Sequence, residues 1–406
     1  MGELAHEQGE VEITGDVPRR MDRPLILVSL LLVAFGLVMV YSASAVVAAE
    51  DYGNSIWYLK RQLLAVCVGT TGMVVLAWTP VRLMRRYAIW LYAAVIAALV
   101  LVFVPGIGHT ANGATRWIGA GSIHFQPSEL AKLALILVLA GYVDRNRGLL
   151  DNFKEGVLPA LLLAAPCMVL VLIEPDFGTT VLLCGITCLA LLYGGLPIRW
   201  FGWMAVVGGA LGSVLVMASS YRLQRVRSWL DPWAVADGDG YQVIQSWLAL
   251  NTGGLWGQGL GNSLAKLRFL PEPWTDFIGA VVGEELGYIG LLLLFCAYGV
   301  FVWRGTRIAL RARSYYGLLV ASIITTLIGV QAGLNLGVVL GALPPKGLVL
   351  PFMSYGASAI MVHMWSVGVL LSVSVDGPVR TERLRATVDS VRDRFARLGA
   401  TGDPTM

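Results

Sequence analysis

Asp276 is the residue in this sequence best placed to accept a proton. It lies in LPEPWTDFIGAVVGEELG (270–287), at the start of a strongly apolar run. Pro271 and Pro273 disfavour helix ahead of it, because proline lacks a backbone donor and restricts its predecessor. Thr275 then reads as a helix N-cap, with Asp276 in the first turn. Gly279, Gly283 and Gly287 recur every four residues, a small-residue stripe that lets another helix pack closely. Asp276 continues that face, so its carboxylate is expected to point into the protein at the membrane surface. The helix N-terminus favours the charged form and burial the neutral one, the balance a general base needs. A capping carboxylate with no chemistry is the competing reading. Glu284 and Glu285 lie two turns deeper, about 12 Å at helical rise, and at least one should face the protein interior.

Further charged groups sit beside short motifs. NGATRWI (112–118) contains Arg116. FQPSELAK (125–132) opens a helix at Pro127 and Ser128, with Glu129 in the first turn and Lys132 one turn deeper. A lysine inside an apolar span needs a reason, either an i,i+3 ion pair or a cavity. EPDFGTT (174–180) adds Glu174 and Asp176, and LPPKGLVLPFMSYGASAIM (343–361) adds Lys346 in a stretch suited to a broken segment lining a cavity. Arg116, Lys132, Glu174, Asp176, Asp276 and Lys346 could converge on one outward-facing cavity.

The elements that would position these groups are transmembrane helices. Of 406 residues, 56% are hydrophobic and only 14% charged, which excludes a soluble domain of this size. The fold class is an all-α integral membrane protein. Ten spans are expected, at 24–48, 62–79, 87–104, 127–143, 157–173, 177–195, 198–219, 277–303, 315–342 and 350–375. With the N-terminus in the cytoplasm, inner segments hold 20 Lys and Arg and outer segments nine, with Lys132 alone in a span. That asymmetry orients the chain and, with an even span count, puts both termini inside. The flanks are a disordered polar tail (1–23) and a basic, amphipathic tail (376–406). The five cysteines fall in apolar runs and the four histidines are scattered, without the spacing of a metal site or disulfide framework.

The large outer loop between helices seven and eight, 220–275, carries five basic residues, five tryptophans and the glycine-rich GGLWGQGLGN (253–262). A loop this long is usually functional. The glycines match no nucleotide-binding fingerprint. The loop is expected either to be flexible surface or to lie on the membrane and bind an anionic, lipid-linked group. In span nine, Gly329, Gly333, Gly337 and Gly341 form a second stripe beside Gln331 and Asn335, read as close packing with polar glue.

These motifs, taken with GDGYQVIQSWLAL (238–250), occur in the order that identifies the SEDS family (shape, elongation, division and sporulation). The chain resembles that family over about 24–375, nearer its FtsW branch than its RodA branch on WGQGLGNS and GEELG. The resemblance implies a ten-helix peptidoglycan glycosyltransferase that polymerises lipid II at the outer face of the cytoplasmic membrane during cell division. A class B penicillin-binding protein would supply cross-linking as transpeptidase partner, alongside other divisome proteins. Asp276 falls on the family's catalytic aspartate, and Arg116, Lys132 and Lys346 on basic positions that engage the diphosphate. Glu129, Glu174, Asp176, Gln245 and Ser354 are the other substrate-binding candidates from the matched motifs. A divalent cation, Mg2+ or Mn2+, could share the neutralisation of charge, although no ligand set demands one. Trp274 stands where histidine is usual, Asn251 and Thr252 replace a small pair, and Ala357 and Ala359 interrupt a glycine/serine run. The competing functions are a lipid II flippase and a non-catalytic divisome scaffold. The crowding of polar groups at the outer surface, rather than along a route through the bilayer, favours chemistry there.

Overall fold

The computed structural model describes residues 21–376, apart from 112, 113, 121, 122, 237, 239 and 346. Lys346 and nearly all of both expected tails therefore lie outside the described residues. The described residues are mostly helical. The helices are α1 (Arg23–Tyr52), α2 (Trp57–Trp78), α3 (Val81–Leu101), α4 (Pro127–Arg145), α5 (Leu158–Ile173), α6 (Phe177–Tyr193), α7 (Ile198–Met217), α8 (Ser220–Leu230), α9 (Tyr241–Gly253), α10 (Ile278–Arg311), α11 (Tyr315–Val339) and α12 (Ala357–Val375). Between α3 and α4, strands β1 (Gly108–Ala111), β2 (Ala114–Ala120) and β3 (Ile123–Phe125) form a small antiparallel sheet with β2 in the middle. Ile118 pairs with Phe125 and His109 with Trp117.

Among the described residues seven segments are long and apolar enough to cross a membrane: α1, α2, α3, α10, α11, α12 and the stretch Phe153–Ile173 that ends in α5. This is a multi-pass membrane protein. The other three expected spans coincide with α4, which carries charged residues, and with the apolar helices α6 and α7. Large apolar side chains such as Trp78 and Trp90 are left facing outward, as lipid contact requires.

Without a hydrophobic drive between helices in lipid, close packing must come from small residues. Gly69 and Gly72 of α2 lie against Met364 and Trp365 of α12, and Gly368 of α12 lies against the Met73 backbone. Gly305 of α10 takes Thr325 of α11, while Gly329 of α11 takes Val302 of α10. At the end of the molecule that holds the chain's first described residues, Asp22 caps α1 through Leu25 N (2.9 Å) and pairs with Arg304. That contact ties α1 to α10.

The 220–275 segment is structured, not a free loop. It contains α8 and α9, and its glycine-rich part is built into α10. At Gly287 the backbone leaves helical geometry (φ 70°, ψ −171°). Four hydrogen bonds cross between the break and the loop: Gln258 N to Glu284 O (2.9 Å), Gly259 N to Glu285 O (3.0 Å), Tyr288 N to Gly254 O (2.9 Å) and Ile289 N to Leu255 O (3.3 Å). An interrupted helix inside a membrane protein must have its freed backbone groups paired, and the loop pairs them. Glu284 accepts from Ser263 Oγ and from the backbone N–H groups of Leu264 (3.0 Å) and Ala265 (3.1 Å). Glu285 accepts from Ser42 of α1 (2.6 Å) and faces Lys266 (3.5 Å). The buried glutamates thus staple the loop in place. The glycine-rich stretch is thus held by backbone pairing rather than left as flexible surface, while Leu255, Trp256 and Leu260 beside it remain exposed.

The glycine at 257 is required by two constraints together. Its φ is +80°, and a Cβ there would lie 2.2 Å from Glu285 O. Gly257→Ala should destabilise the protein by at least about 2 kcal/mol, seen as a lowered midpoint of thermal unfolding in detergent. Gly261→Ala is the control: φ is also positive (+83°) but the space around it is open. It should cost only the left-handed backbone penalty of about 1–2 kcal/mol. Equal midpoints for the two variants would contradict the docked loop.

Candidate active site

The sheet, the starts of α2, α4, α6 and α12, and the connection before α12 enclose a cavity of about 700 Å³. Most of its wall is apolar, and a few polar groups project into it, the usual make-up of a binding site. Arg116 of β2, Glu129 of α4 and Asp176 before α6 line it, as do Thr275 and Gly347.

Arg116 is aimed by backbone carbonyls. Its Nε donates to Glu174 O (3.0 Å) and one terminal nitrogen to Pro175 O (2.6 Å). Two such bonds fix the plane of the guanidinium and leave its remaining donors available at the wall. Asp176 caps α6, accepting from Thr179 N (3.0 Å) and Thr179 Oγ1 (2.9 Å). Its second oxygen also accepts from Gln126 Nε2 (3.3 Å). Gln126 is held in turn by Ser358 Oγ (2.8 Å), so the starts of α4, α6 and α12 are joined by side chains.

Glu129 and Lys132 form a nearly fully buried ion pair at 2.8 Å. Glu129 reaches the cavity, while Lys132 sits one turn behind it, against a small void shared with His363 and Ser366. Lys132 therefore reaches the cavity only through its contact with Glu129. Glu174 is 0% exposed, and neither of its carboxylate oxygens has a hydrogen-bond partner. Burial pushes its pKa up to about 8, with Asp176 adding to the shift and Arg116 opposing it.

Asp276 lies in a turn before α10, which begins at Ile278. Thr275 does not cap the helix; its hydroxyl contacts Glu272 O (2.8 Å) and Asp276 Oδ1 (3.0 Å). The prolines at 271 and 273 prolong the turn beyond the start read from the sequence. The carboxylate is directed at the 340–356 connection: a Cβ built on Gly347 would be 3.9 Å from Asp276 Oδ2. Asn335 of α11 holds both sides of this junction, donating to Asp276 O (2.8 Å) and to Leu348 O (2.6 Å). Gln331, one turn away, donates to Val349 O (3.0 Å), and its own carbonyl oxygen is unpaired at the cavity. Span nine's polar residues are glue, as expected, and what they glue is the acid to the opposing wall. Burial raises the Asp276 pKa to about 6; the Thr275 hydroxyl, its own backbone N–H and Arg225 pull it down, and Glu272 pushes it up.

Two candidates are placed elsewhere. Gln245 is half-buried on α9 and does not line the cavity. Ser354 closes its own turn, accepting from Leu350 N (2.8 Å), and its carbonyl accepts from Gln62 Nε2 (3.1 Å). Among the polar groups of the wall, Arg61 and His124, and Gln331 as a lining group, escaped the sequence reading, whereas Tyr355 belongs to the 343–361 stretch expected to line a cavity. Arg61 stacks over Trp57 at 3.6 Å. The available signal for it was the polar run YLKRQ at the start of an apolar span. Trp274 is buried against Tyr58 (4.8 Å), and its carbonyl accepts from Tyr355 N (2.8 Å), so the indole serves packing at this position.

The acidic groups do not form a cage for a divalent cation. Among the described residues no three His, Cys, Asp or Glu side chains converge on a point where an ion could sit. Glu129 is turned to Lys132, and Asp176 is engaged as a cap.

Glu174 generates a prediction with a definite sign. Its pKa in the folded protein is raised from 4.5 to about 8. Its stabilising contribution is therefore fully present below about pH 4.5 and is lost as pH rises through about 8. Glu174→Gln should flatten the decline of the unfolding midpoint between these limits relative to wild type. Parallel pH curves for the two proteins would rule this out.

Comparison with known proteins agrees with this architecture. The family model FTSW_RODA_SPOVE, described as "Cell cycle protein", matches residues 22–377. A protein of Geobacter metallireducens named "Probable peptidoglycan glycosyltransferase FtsW" is 42% identical over 355 residues, 87% of this chain and 95% of the relative. "Stage V sporulation protein E" of Bacillus subtilis is 41% identical over 356 residues, 87% of this chain and 96% of the relative. A chain from the solved structure titled "Structural coordination of polymerization and crosslinking by a peptidoglycan synthase complex" superposes with TM-score 0.73 at 30% identity, covering 88% of this chain and 98% of that one. With matched residues running from Asp22 to just past the end of α12, the chain belongs to the family of cell cycle proteins that unites FtsW, RodA and SpoVE.

Proposed function

We propose that the protein is a peptidoglycan glycosyltransferase that polymerises lipid II into glycan strands, with Asp276 as general base. The carrying observation is the junction at Asn335. It places the turn bearing Asp276 against the wall of a cavity that Arg116 also lines. The names of the relatives support the reaction class.

In this reading the Asp276 carboxylate takes the proton of the acceptor sugar's 4-hydroxyl. The freed oxygen attacks the anomeric carbon of the donor. The bond from that carbon to the diphosphate oxygen breaks, and undecaprenyl diphosphate leaves with the electron pair. Arg116 is oriented to stabilise the developing charge through paired N–H donors, with Arg61 on the same wall. Lys132 acts indirectly, by pairing with Glu129 and holding it in place at the cavity. Lys346, from its motif, is a further diphosphate contact. A Mg2+ or Mn2+ ion would have to arrive with the diphosphate, and no step here is routed through one.

The proposed topology has ten spans: the seven long apolar segments together with α4, α6 and α7. Both termini are cytoplasmic and the 220–275 segment is outside. A class B penicillin-binding protein is the proposed partner, in keeping with the synthase complex that the fold matches. A flippase would need polar groups along the bilayer depth. The deep charged groups here are instead engaged in pairs: Lys132 with Glu129, and Glu285 with Lys266.

Asp276→Asn preserves size and most hydrogen bonding while removing the base. Lipid II polymerisation by purified protein with its transpeptidase partner should fall by roughly 10²–10⁴. The wild-type rate should fall as pH drops through about 6, where the carboxylate protonates. A variant polymerising within a few-fold of wild type would remove Asp276 from the mechanism.

For the topology, cysteines are placed singly in a background from which the five native ones are removed. A membrane-impermeant maleimide should label Leu260→Cys on intact spheroplasts. It should label Asp151→Cys only after lysis. The reverse pattern would invert the orientation.

A further inference from the structure

Two helices fix the level of the glycine-rich turn relative to the bilayer. On α10, Glu285 lies nineteen residues before Arg304, which pairs with Asp22 at the end proposed to be cytoplasmic. At helical rise that is about 28 Å. On α1, Ser42 donates to Glu285 (2.6 Å) and lies nineteen residues after Arg23, the start of that helix. The same rise again gives about 28 Å. The hydrocarbon of a bilayer is about 30 Å thick. Glu285 therefore stands at its outer edge, and backbone paired further along α10 stands inside it.

Gly254 and Leu255 are paired further along. Their carbonyls accept from Tyr288 N (2.9 Å) and Ile289 N (3.3 Å), three and four residues closer to Arg304 than Glu285 is. The approach to this point is along α9. Trp247 of α9 lies against Gly341, past the end of α11, whereas Gly253 lies against Gly283 and Glu284. The chain turns at Leu255 and Trp256 and climbs back to Gln258 and Gly259, which pair with Glu284 and Glu285. The tip of the turn is thus roughly 5 Å inside the outer edge of the hydrocarbon.

The described residues leave this tip uncovered. Trp256 is 81% exposed and Leu255 66%, and Tyr288 beside them is exposed too. One turn further along α10, Leu292 and Leu293 also face outward, so the lipid-facing surface of that helix reaches the level of the tip. From Gly240 to Ala265 the chain holds no charged residue. Gln258 turns its amide to Thr252 O (2.6 Å). Backbone entering hydrocarbon needs its polar groups paired, and the break in α10 pairs them. An indole suits this depth, with its ring among acyl chains and its N–H toward the headgroups.

We propose that 241–260 is a re-entrant hairpin whose tip, Leu255 and Trp256, is seated among the acyl chains of the outer leaflet. The occupant of the exposed face is lipid, not a protein partner. The 220–275 segment stays on the outer side throughout, and only this tip enters the bilayer. The inference is independent of the reaction assigned to Asp276, and rests on the proposed topology only for which leaflet is entered. The tip sets the height of the glycine-rich stretch that leads into the turn bearing Asp276.

The test places Leu255→Cys at the tip and Leu260→Cys as its control, each in the background without the five native cysteines. Leu260 follows the outward-running Gly259 and is 57% exposed, so the protein itself shields neither site. On intact spheroplasts a membrane-impermeant maleimide should label Leu255→Cys at least about tenfold more slowly than Leu260→Cys, because a thiol in hydrocarbon does not form the reactive thiolate. Equal rates would overturn the proposal. Lipid contact is read from a bimane on each cysteine, in vesicles of phosphatidylcholine and phosphatidylglycerol. Nitroxide on the acyl chains should quench the Leu255→Cys label several-fold more than the Leu260→Cys label, and iodide in the water should do the reverse. Iodide reaching both labels alike would refute the insertion. The quenching is repeated on the complex with the transpeptidase partner, where it should persist. Loss of nitroxide quenching at the tip in the complex alone would give this face to the partner and overturn the proposal. Should Leu255→Cys fail to fold, Trp256→Cys takes its place. Labelling of Asp151→Cys instead of Leu260→Cys on spheroplasts would refute the orientation alone. Quenching in vesicles does not depend on sidedness and would still decide whether the tip enters the bilayer.

Discussion

The side-chain amide of Asn335 ties the turn that bears Asp276 to the opposite wall of the cavity. Its two hydrogens go to Asp276 O and Leu348 O, carbonyls 72 residues apart in the chain. Both belong to irregular backbone, which a helical membrane protein tolerates only where it is paired or lines a cavity. Asn335 is buried, so the bonds form without competition from water. Gln331, one turn along the same helix, repeats the device at Val349. The face of α11 that packs against α10 thus also sets the separation between the acid and the wall that would hold the donor's charge.

The same logic governs the polar groups deeper in the molecule. Glu284 and Glu285 are costly where they stand, and each is matched to named partners: Ser263 and two backbone amides for the first, Ser42 and Lys266 for the second. Their burial stabilises one arrangement of the glycine-rich segment against others. Because that segment runs directly into the turn at 271–277, rigidity at the α10 break is passed on to Asp276. Proton chemistry with a positioned base depends on such rigidity.

Much of this was legible in the sequence where the signal is local. Apolar windows located the helices, and the stripe Gly279, Gly283, Gly287 correctly marked a face of close approach, since Gly279 meets α11 and Gly283 meets Leu250 of α9. The motif FQPSELAK offered the Glu129–Lys132 ion pair as one of two readings, and the structure contains that pair. What was not legible depends on contacts between distant segments. Arg61 reaches the cavity because α2 packs along α12, and nothing near it in the sequence states that. The glycines at 253–261 show that backbone is approached closely without showing by what; the answer, the broken α10, lies some thirty residues on. Thr275 has the residue type of a cap but not the backbone, since the two prolines before it extend the turn.

The interrupted α10 also bears on how the chain is made. The residues that pair with its break, Gly254 to Gly259, precede it in the sequence and so leave the ribosome first. Until Glu284 to Ile289 emerge, those backbone groups have only water or one another as partners. A continuous α10 could insert as soon as it is synthesised, whereas this one exposes unpaired peptide groups to lipid until the earlier segment reaches it. Biogenesis of this protein therefore requires that the stretch from Gly254 to Gly259 wait for its partners through the synthesis of the next helix. The final topology is completed by a segment returning to its successor, not by helices inserting one at a time.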